Sequence, residues 1–349
     1  MNKKVLLGMS GGTDSSVAAI LLKEQGYEVI GATMILWENE NSCSSLQTVK
    51  DAKTVCDALN IEHHVFEFKE EFKCSVIKDF IDCYNNAITP NPCIECNKHL
   101  KFKAFYKKAI ELGCDYIATG HYAKTEYSEE YKQYVLKESN AGKKDQSYVL
   151  YGIPKEIISK ILFPLGIFEN KEQIREIASK YNLSVANKKD SQEICFIPDN
   201  NYEKFILENS DIKPKKGSIV NKKGDVLGKH NGLINYTIGQ RKGLGISNEV
   251  PLYVIELDKE KNQVIVGEEK EIYNDELYAT NLNYLLELKD GQEVEAKIRY
   301  NSKKALATFY KIDENNIKLK FKEPQRAITK GQSVVIYLND IVAAGGKII

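Results

Sequence analysis

Long apolar runs are missing from this chain of 349 residues. No stretch approaches the roughly 18 residues that a membrane-spanning helix needs, so no membrane association is expected. Lys3-Lys4 precede only a short apolar segment, too brief for a secretory leader, and a cytoplasmic location is expected. An excess of either charge is also missing, because 49 Lys and Arg balance 49 Asp and Glu. That excludes a global basic field for nucleic acid; any phosphate contact has to come from local patches. No internal repeat of fixed period is visible, which removes repeat arrays. What remains is an apolar fraction of 42% and a charged fraction of 28%, the balance of a soluble globular protein. At roughly 150 residues per domain, two or three domains are expected.

Cysteine is not scarce, at 8 residues. In a cytoplasmic chain of this size these are not a disulfide framework. They crowd into the first third, and Cys195 alone lies beyond Cys114.

The most specific signal is near the start. The apolar strand Val5-Leu6-Leu7-Gly8-Met9 runs into Ser10-Gly11-Gly12-Thr13-Asp14-Ser15-Ser16 and then into the helix Val17–Leu22. A glycine-rich turn that opens a helix offers unpaired N–H groups and the positive end of the helix dipole to an anion. This is not a Walker loop, which needs a Lys after the glycines to reach the β- and γ-phosphates, and it is not a dinucleotide fingerprint. The Ser-Gly-Gly-x-Asp-Ser pattern resembles the PP-loop of ATP pyrophosphatases. That resemblance implies Gly11 and Gly12 closing on pyrophosphate, Ser10, Ser15 and Ser16 donating hydrogen bonds, and Asp14 holding Mg²⁺.

Residues 1–125 alternate strand and helix. Strands are expected at 28–34, 64–68 and 114–122, and helices at about 44–59, 71–87 and 97–112. Strands separated by helices imply a parallel sheet, whose ligands bind beyond the strand C-termini. The glycine-rich loop, Met34 and the Gly120-His121 turn then share one rim. Residues 126–200 read as helices and long loops, with a helix at 171–181. From about 202 the texture changes to Gly, Lys and Asn, with a turn at Lys223-Gly224-Asp225. Alternating segments from 252 to 338 predict a small antiparallel β-barrel.

Two cysteine sites carry the chemistry. Thr89-Pro90-Asn91-Pro92-Cys93-Ile94-Glu95-Cys96-Asn97-Lys98 lies between two helices, with both thiols near a helix N-terminus, where a thiolate is favoured. Asp190-Ser191-Gln192-Glu193-Ile194-Cys195-Phe196-Ile197-Pro198 is far away in sequence, so any meeting is tertiary. A zinc site lacks a second Cys pair. A reactive pair beside a nucleotide, or buried structural thiols, are the open readings for Cys96 and Cys195. Cys43, Cys56, Cys74, Cys83 and Cys114 read as structural.

The chain resembles the tRNA-specific 2-thiouridylase (MnmA) family along its whole length. The matching segments are Gly8–Ser16, Asn91-Pro92-Cys93 with Cys96-Asn97-Lys98, Ala118–Tyr122, Lys144–Tyr148, Ile194–Ile197 and Tyr236–Gly245. The resemblance implies an α/β N-terminal PP-loop domain (adenine nucleotide α-hydrolase-like) at 1–200, a central tRNA-contacting domain at 201–270 and a C-terminal barrel at 271–349. It implies thiolation of the tRNA wobble uridine: ATP adenylates the C2 oxygen, and AMP and pyrophosphate are released. Cys195 carries a persulfide from a sulfur donor such as a cysteine desulfurase or relay protein, and Cys96 is the nucleophile, with a transient Cys96–Cys195 disulfide. Gly8, Met9, Ser10, Gly11, Gly12, Thr13, Asp14, Ser15, Met34 and Gly120 are expected to hold ATP. Asn91, Pro92, Cys93, His121, Asp145, Gln146, Ser147, Arg299, Tyr300 and Gln332 are expected to contact tRNA. Some members of the family have Asp where Cys93 stands here. Cys93, Cys96 and Cys195 are therefore also a candidate three-thiolate set for an iron–sulfur cluster. Two rivals share parts of this pattern. An amide- or amidine-forming PP-loop enzyme does not need Cys96 and Cys195, and a non-catalytic tRNA-binding protein does not need Asp14 and Ser15.

Overall fold

A computed structural model describes residues 2–37, 46–183, 194–197 and 199–349. Cys43 and the stretch Asp190–Glu193 lie outside these residues.

The N-terminal strands are β1 (Lys4–Gly8), β2 (Glu28–Ile35), β3 (Glu62–Glu67) and β4 (Tyr116–Ala118), followed by a hairpin of β5 (Lys124–Ser128) and β6 (Gln133–Lys137), then β7 (Ile161–Leu162). Strands β3-β2-β1-β4-β7 form one parallel sheet in that order. Val5, Leu6 and Leu7 in the centre are fully buried. A continuous apolar run is what a strand covered on both faces requires. Helices α1 (Thr13–Glu24), α2 (Leu46–Ala58), α3 (Lys69–Phe72), α4 (Lys78–Asn85), α5 (Pro92–Cys96), α6 (Phe105–Glu111) and α7 (Lys171–Lys180) accompany the sheet. The chain leaves β1 toward β2 on one side and later returns to β4 on the other. The crevice beyond the β1 and β4 C-termini is therefore a topological switch point.

Two sequence expectations move. The helix expected near Asn97 opens at Pro92, because proline has no N–H to satisfy and suits the first helical position. It continues through a π-helical stretch, Asn97–Ala104, into α6. The hairpin β5–β6 stands in the region read as helices and loops. Its alternation is polar on the outer face and too weak to register in sequence, and β6 pairs with the C-terminal sheet.

Beyond α8 (Tyr202–Glu208) come β8 (Gly217–Asn221), β9 (Val226–His230), β10 (Tyr253–Asp258) and β11 (Gln263–Gly267) in a four-stranded sheet ordered β10-β11-β8-β9. Strands β8 and β9 are the hairpin around the Lys223-Gly224-Asp225 turn. Next are β12 (Tyr273–Tyr284), β13 (Glu293–Lys297), β14 (Ala305–Lys311), β15 (Ile317–Arg326), β16 (Ser333–Leu338) and β17 (Ile341–Ile348). Their order β12-β15-β14-β13-β16-β17 closes on itself through β12 and β17, giving a six-stranded antiparallel barrel.

The barrel is bolted to the N-terminal domain. Tyr148 donates its hydroxyl proton to the Ser333 carbonyl at 2.7 Å, and Asn283 Nδ2 reaches the Tyr151 and Ile153 carbonyls at 2.6 and 2.8 Å. Val335, Tyr337 and Val342 of the barrel belong to the same apolar cluster as Leu6 and Ile117 of the parallel sheet.

Candidate nucleotide cleft and thiol loop

A cleft of about 250 Å³ opens at the switch point. Gly8, Met9, Ser10, Asp14 and Ser15 line it from the loop after β1, Met34 from β2, and Thr119, Gly120 and His121 from the loop after β4. Thr33, Leu36, Lys101 and Gln146 complete it. Of the residues expected to hold ATP, Gly11, Gly12 and Thr13 do not line the cleft; they shape its loop. Gly11 has φ +61°, and a Cβ there would stand 2.7 Å from the Thr48 carbonyl oxygen, so glycine is required for α2 to pack against the loop. The loop is tied inward by Ser16 Oγ donating to the Gly12 carbonyl at 2.9 Å, and the Ser10 N–H donates to Ser15 Oγ at 3.2 Å.

Asp14 is held from two sides. The Tyr122 hydroxyl donates to Oδ1 at 2.8 Å, and the buried Lys171 ammonium pairs with Oδ2 at 2.8 Å. Sequence reading missed both partners in this role, since Lys171 lies on a helix with no motif of its own. An ionised carboxylate has about four lone-pair sites, so Asp14 retains acceptor capacity toward the cleft. Among the described residues no three His, Cys, Asp or Glu side chains gather to hold a metal ion. One carboxylate suits Mg²⁺ brought with phosphates, which supply its other oxygens. Cys93, Cys96 and Cys195 are accordingly not gathered as such a group among the described residues.

His121 is buried in the wall. Its Nε2 faces the Lys101 ammonium at 3.3 Å, and its Nδ1 faces Thr119 Oγ1 at 2.7 Å. Lysine can only donate, so Nε2 accepts and the proton sits on Nδ1. Burial first, and then Lys101, hold His121 well below the ordinary imidazole value, so it is neutral. Both nitrogens are thus committed within the protein.

The thiols lie within α5, Cys93 in its first turn and Cys96 at its last residue. Cys93 is exposed and Cys96 is buried. Cys195 is half-buried, and with Cys96 it packs on the main apolar cluster. The next residue, Phe196, anchors that turn with ring centroids 5.6 Å from Phe72, 5.4 Å from Phe80 and 5.1 Å from Phe205. By contrast, burial pushes the Cys56 and Cys83 thiols up to about 11, which suppresses their thiolates.

Several residues expected on RNA are engaged internally. The Asp145 carboxylate is buried and accepts from the Ser147 hydroxyl at 2.6 Å and the Ser139 N–H at 2.8 Å. Ser147 is fully buried. Gln146 Oε1 accepts from the Tyr122 N–H at 2.9 Å. Arg299 Nη2 donates to the carbonyls of Arg326 and, at 2.7 Å, of Ala327. Burial raises the Tyr300 phenol, followed by the nearby Asp145 and Cys93, which places that ring in electrostatic reach of the thiol loop. Gln332 Nε2 donates to the Thr89 and Pro90 carbonyls at 3.2 and 3.0 Å, and the Thr89 N–H donates to the Lys330 carbonyl at 3.0 Å. The barrel therefore clasps the segment that leads into Cys93. Gln332→Ala is expected to lower the thiol loop's function by about tenfold, the cost of one or two hydrogen bonds, while tRNA affinity stays within about twofold. A filter-binding titration that instead shows weakened tRNA affinity would favour the expected RNA contact.

Family models match in chain order: a tRNA methyl transferase HUP domain at 3–199, a tRNA methyl transferase PRC-barrel domain at 203–268 and an aminomethyltransferase β-barrel domain at 274–348. The chain is 52% identical over its full length to the tRNA-specific 2-thiouridylase MnmA of Caldicellulosiruptor saccharolyticus, covering 99% of that protein. The chain belongs to the tRNA-specific 2-thiouridylase family. The relative of that name in Clostridioides difficile is 49% identical over 100% of this chain and 98% of its own length. That of Acetivibrio thermocellus is 50% identical over 99% of each chain. The parallel sheet, the central sheet and the closed barrel correspond to the three family models in turn. Among the described residues no helix is long and apolar enough to cross a membrane.

Proposed function

We propose that this chain uses ATP to replace the C2 oxygen of a tRNA wobble uridine with sulfur. The observation that carries this reading is its likeness, at about half identity over the whole chain, to tRNA-specific 2-thiouridylases. The cleft at the switch point is consistent with it.

In this reading the adenine nucleotide lies over Gly8, Met9, Met34 and Gly120. Its polyphosphate meets the backbone and hydroxyls of Ser10, Gly11, Gly12, Thr13 and Ser15. Asp14 would hold Mg²⁺, which would screen phosphate charge when bound. The uridine C2 oxygen attacks the α-phosphorus, the bond to the β-phosphate breaks, and pyrophosphate leaves. C2 now carries AMP, a far better leaving group than oxide. The terminal sulfur of a Cys195 persulfide attacks C2. Cys96 then attacks the Cys195 sulfur and breaks the S–S bond. The sulfur stays on C2, AMP departs with the former carbonyl oxygen, and a Cys96–Cys195 disulfide remains for an external thiol to reduce. Cys96 cleaving the persulfide first, to release sulfide for the attack, reaches the same products.

Asn91, Pro92 and Cys93 border the extruded base, since a stacked uridine cannot reach a thiol. Asp145, Ser147, Arg299 and Gln332 support this surface from behind, while His121 and Gln146 shape the cleft wall. The upstream partner is a persulfide donor. The segments 1–200, 201–270 and 271–349 act as catalytic, tRNA-contacting and barrel domains, and the reaction runs in the cytoplasm.

Incubation with tRNA, ATP, Mg²⁺ and a persulfide donor is expected to produce thiolated tRNA that is retarded in a mercury-containing gel. Formation of AMP without any retarded tRNA would favour the amide- or amidine-forming alternative.

A further inference from the structure

Of the cations that the barrel brings toward the thiols, Arg299 and Lys304 are already engaged within the protein, and Lys297 is not. We propose that Lys297 takes the backbone phosphate beside the extruded uridine and so sets the base over the thiols of α5. This rests on the reading of the chain as an enzyme that thiolates tRNA.

The first argument is what the neighbours leave over. Arg299 Nη2 donates to two carbonyls, and Lys304 Nζ pairs with Glu138 and Glu295 at 2.9 and 3.0 Å. Lys297, the last residue of β13, makes no hydrogen bond or ion pair among the described residues. Its ammonium lies instead 5.9 Å from the ring centroids of both Tyr148 and Tyr300. Burial lowers the Lys297 pKa, and Asp145 and Glu138 oppose that from a distance. Neither carboxylate is at its disposal, since Asp145 accepts from Ser139 and Ser147 and Glu138 pairs with Lys304. A half-buried ammonium with three donors and no acceptor gains from an anion. In RNA the anionic groups are the phosphates.

The second argument is place. Tyr148 belongs to the short turn Ser147–Leu150, whose Val149 carbonyl accepts from Asn97 Nδ2 at 2.9 Å. Asn97 directly follows Cys96. Tyr300 meets Tyr148 edge-on, with centroids 6.2 Å apart, and packs on the same apolar cluster as Cys96 and Cys195. Its phenol also feels the charge of Cys93. The two rings thus fix the ammonium at the seam between the barrel and the thiol loop, and a base held at the thiols brings its own phosphate to that seam. Because the cation–π contacts hold the side chain in place before RNA arrives, little of its entropy is lost on binding.

The test is filter binding of whole tRNA, joined from two halves, to wild type, Lys297→Met and Lys297→Arg over a range of salt. The tRNA is used unmodified and with a neutral methylphosphonate on one or the other side of the wobble uridine. Lys297→Met keeps an apolar stem against both rings. It is expected to weaken unmodified tRNA by about tenfold, the worth of one charge-assisted contact, and to lower the log–log salt slope by about one. The methylphosphonate at one of the two positions is expected to cost wild type about as much and the Met variant less than about twofold, because the cation it faced is gone. Lys297→Arg is expected to stay within about threefold of wild type, since it restores the charge. If Lys297→Met does not fold, Lys297→Gln takes its place in the same comparison. Equal losses from the methylphosphonates in wild type and variant make Lys297 a structural pin for the tyrosine rings and overturn the proposal, as does an unchanged salt slope. Wild type that does not bind unmodified tRNA overturns the tRNA reading itself.

Discussion

Serine at position 195 is expected to end thiolation by a persulfide donor, with a loss of about a thousandfold or more, while pyrophosphate release continues. A hydroxyl does not accept a sulfane sulfur, so no persulfide forms on the variant. The proposed ATP cleft is built from the ends of β1, β2 and β4 and does not include Cys195. Nor does the substitution unseat the turn, because Phe196 and not Cys195 anchors it in the aromatic cluster. Cys96→Ser is expected to differ in kind. It lacks the thiolate that breaks the S–S bond, so the persulfide on Cys195 should accumulate and be visible as added mass in the intact protein. Millimolar sulfide, which needs no carrier, is expected to restore part of the activity of both variants. The measurements are thiouridine content of digested tRNA, pyrophosphate release and intact mass, on the same samples. Full thiolation by Cys195→Ser with a persulfide donor and no sulfide would refute the carrier role.

How much of this was legible in the sequence depends on the range of the interaction. The loop Ser10–Ser16 is a local signal, where strand, glycines, hydroxyls and helix start are contiguous, and the structure forms those elements in that order. The parallel sheet followed from alternating strands and helices, and the barrel from period-two alternation. The two strands that close the barrel, β12 and β17, went unread: β12 carries polar Asn and Asp residues, and β17 holds Ala and Gly where bulky β-formers are usual. Their place is set by pairing with each other across the closure, which no local pattern encodes.

The site shows the same division. Asp14 was visible by motif, but its partners Lys171 and Tyr122 come from other elements and are brought in by the packing of α7 on α1 and by the turn after β4. The residues expected on RNA are the instructive cases. Asp145, Arg299 and Gln332 stand in irregular segments and Ser147 opens a short 3-10 helix, places where a polar residue reads as a surface contact. In three dimensions their polar atoms satisfy buried or half-buried backbone and hydroxyl groups. Whether a polar side chain faces solvent or a carbonyl is a tertiary fact, set by the docking of the barrel on the N-terminal domain.

That docking has its own large expected effect. Gly331→Ala is expected to lower thiolation by about a hundredfold, the scale on which a displacement of about 1 Å at a reacting group acts. Gly331 has φ +88°, a conformation that costs an L-residue roughly 1–2 kcal/mol. A Cβ there would stand 2.0 Å from Ile88 Cγ2 and 2.8 Å from the Thr89 carbonyl oxygen. Because the second of these is backbone, no rotamer change relieves it. The segment must shift, and with it go the Thr89 N–H bond to Lys330 and both Gln332 bonds to Thr89 and Pro90. Pro90 and Pro92 stiffen the segment, so displacement at residue 89 is transmitted to the first turn of α5 and its two thiols. The proposed ATP cleft shares no residue with this segment, so AMP affinity is expected to stay within about twofold of wild type. Gly331→Asn separates the two causes: asparagine tolerates positive φ but still carries the clashing Cβ, so it is expected to lose nearly as much activity as alanine. Wild-type thiolation by either variant would mean that the barrel's hold on this segment does not position the thiols. Parallel loss of AMP binding would mean general unfolding, not a displaced loop.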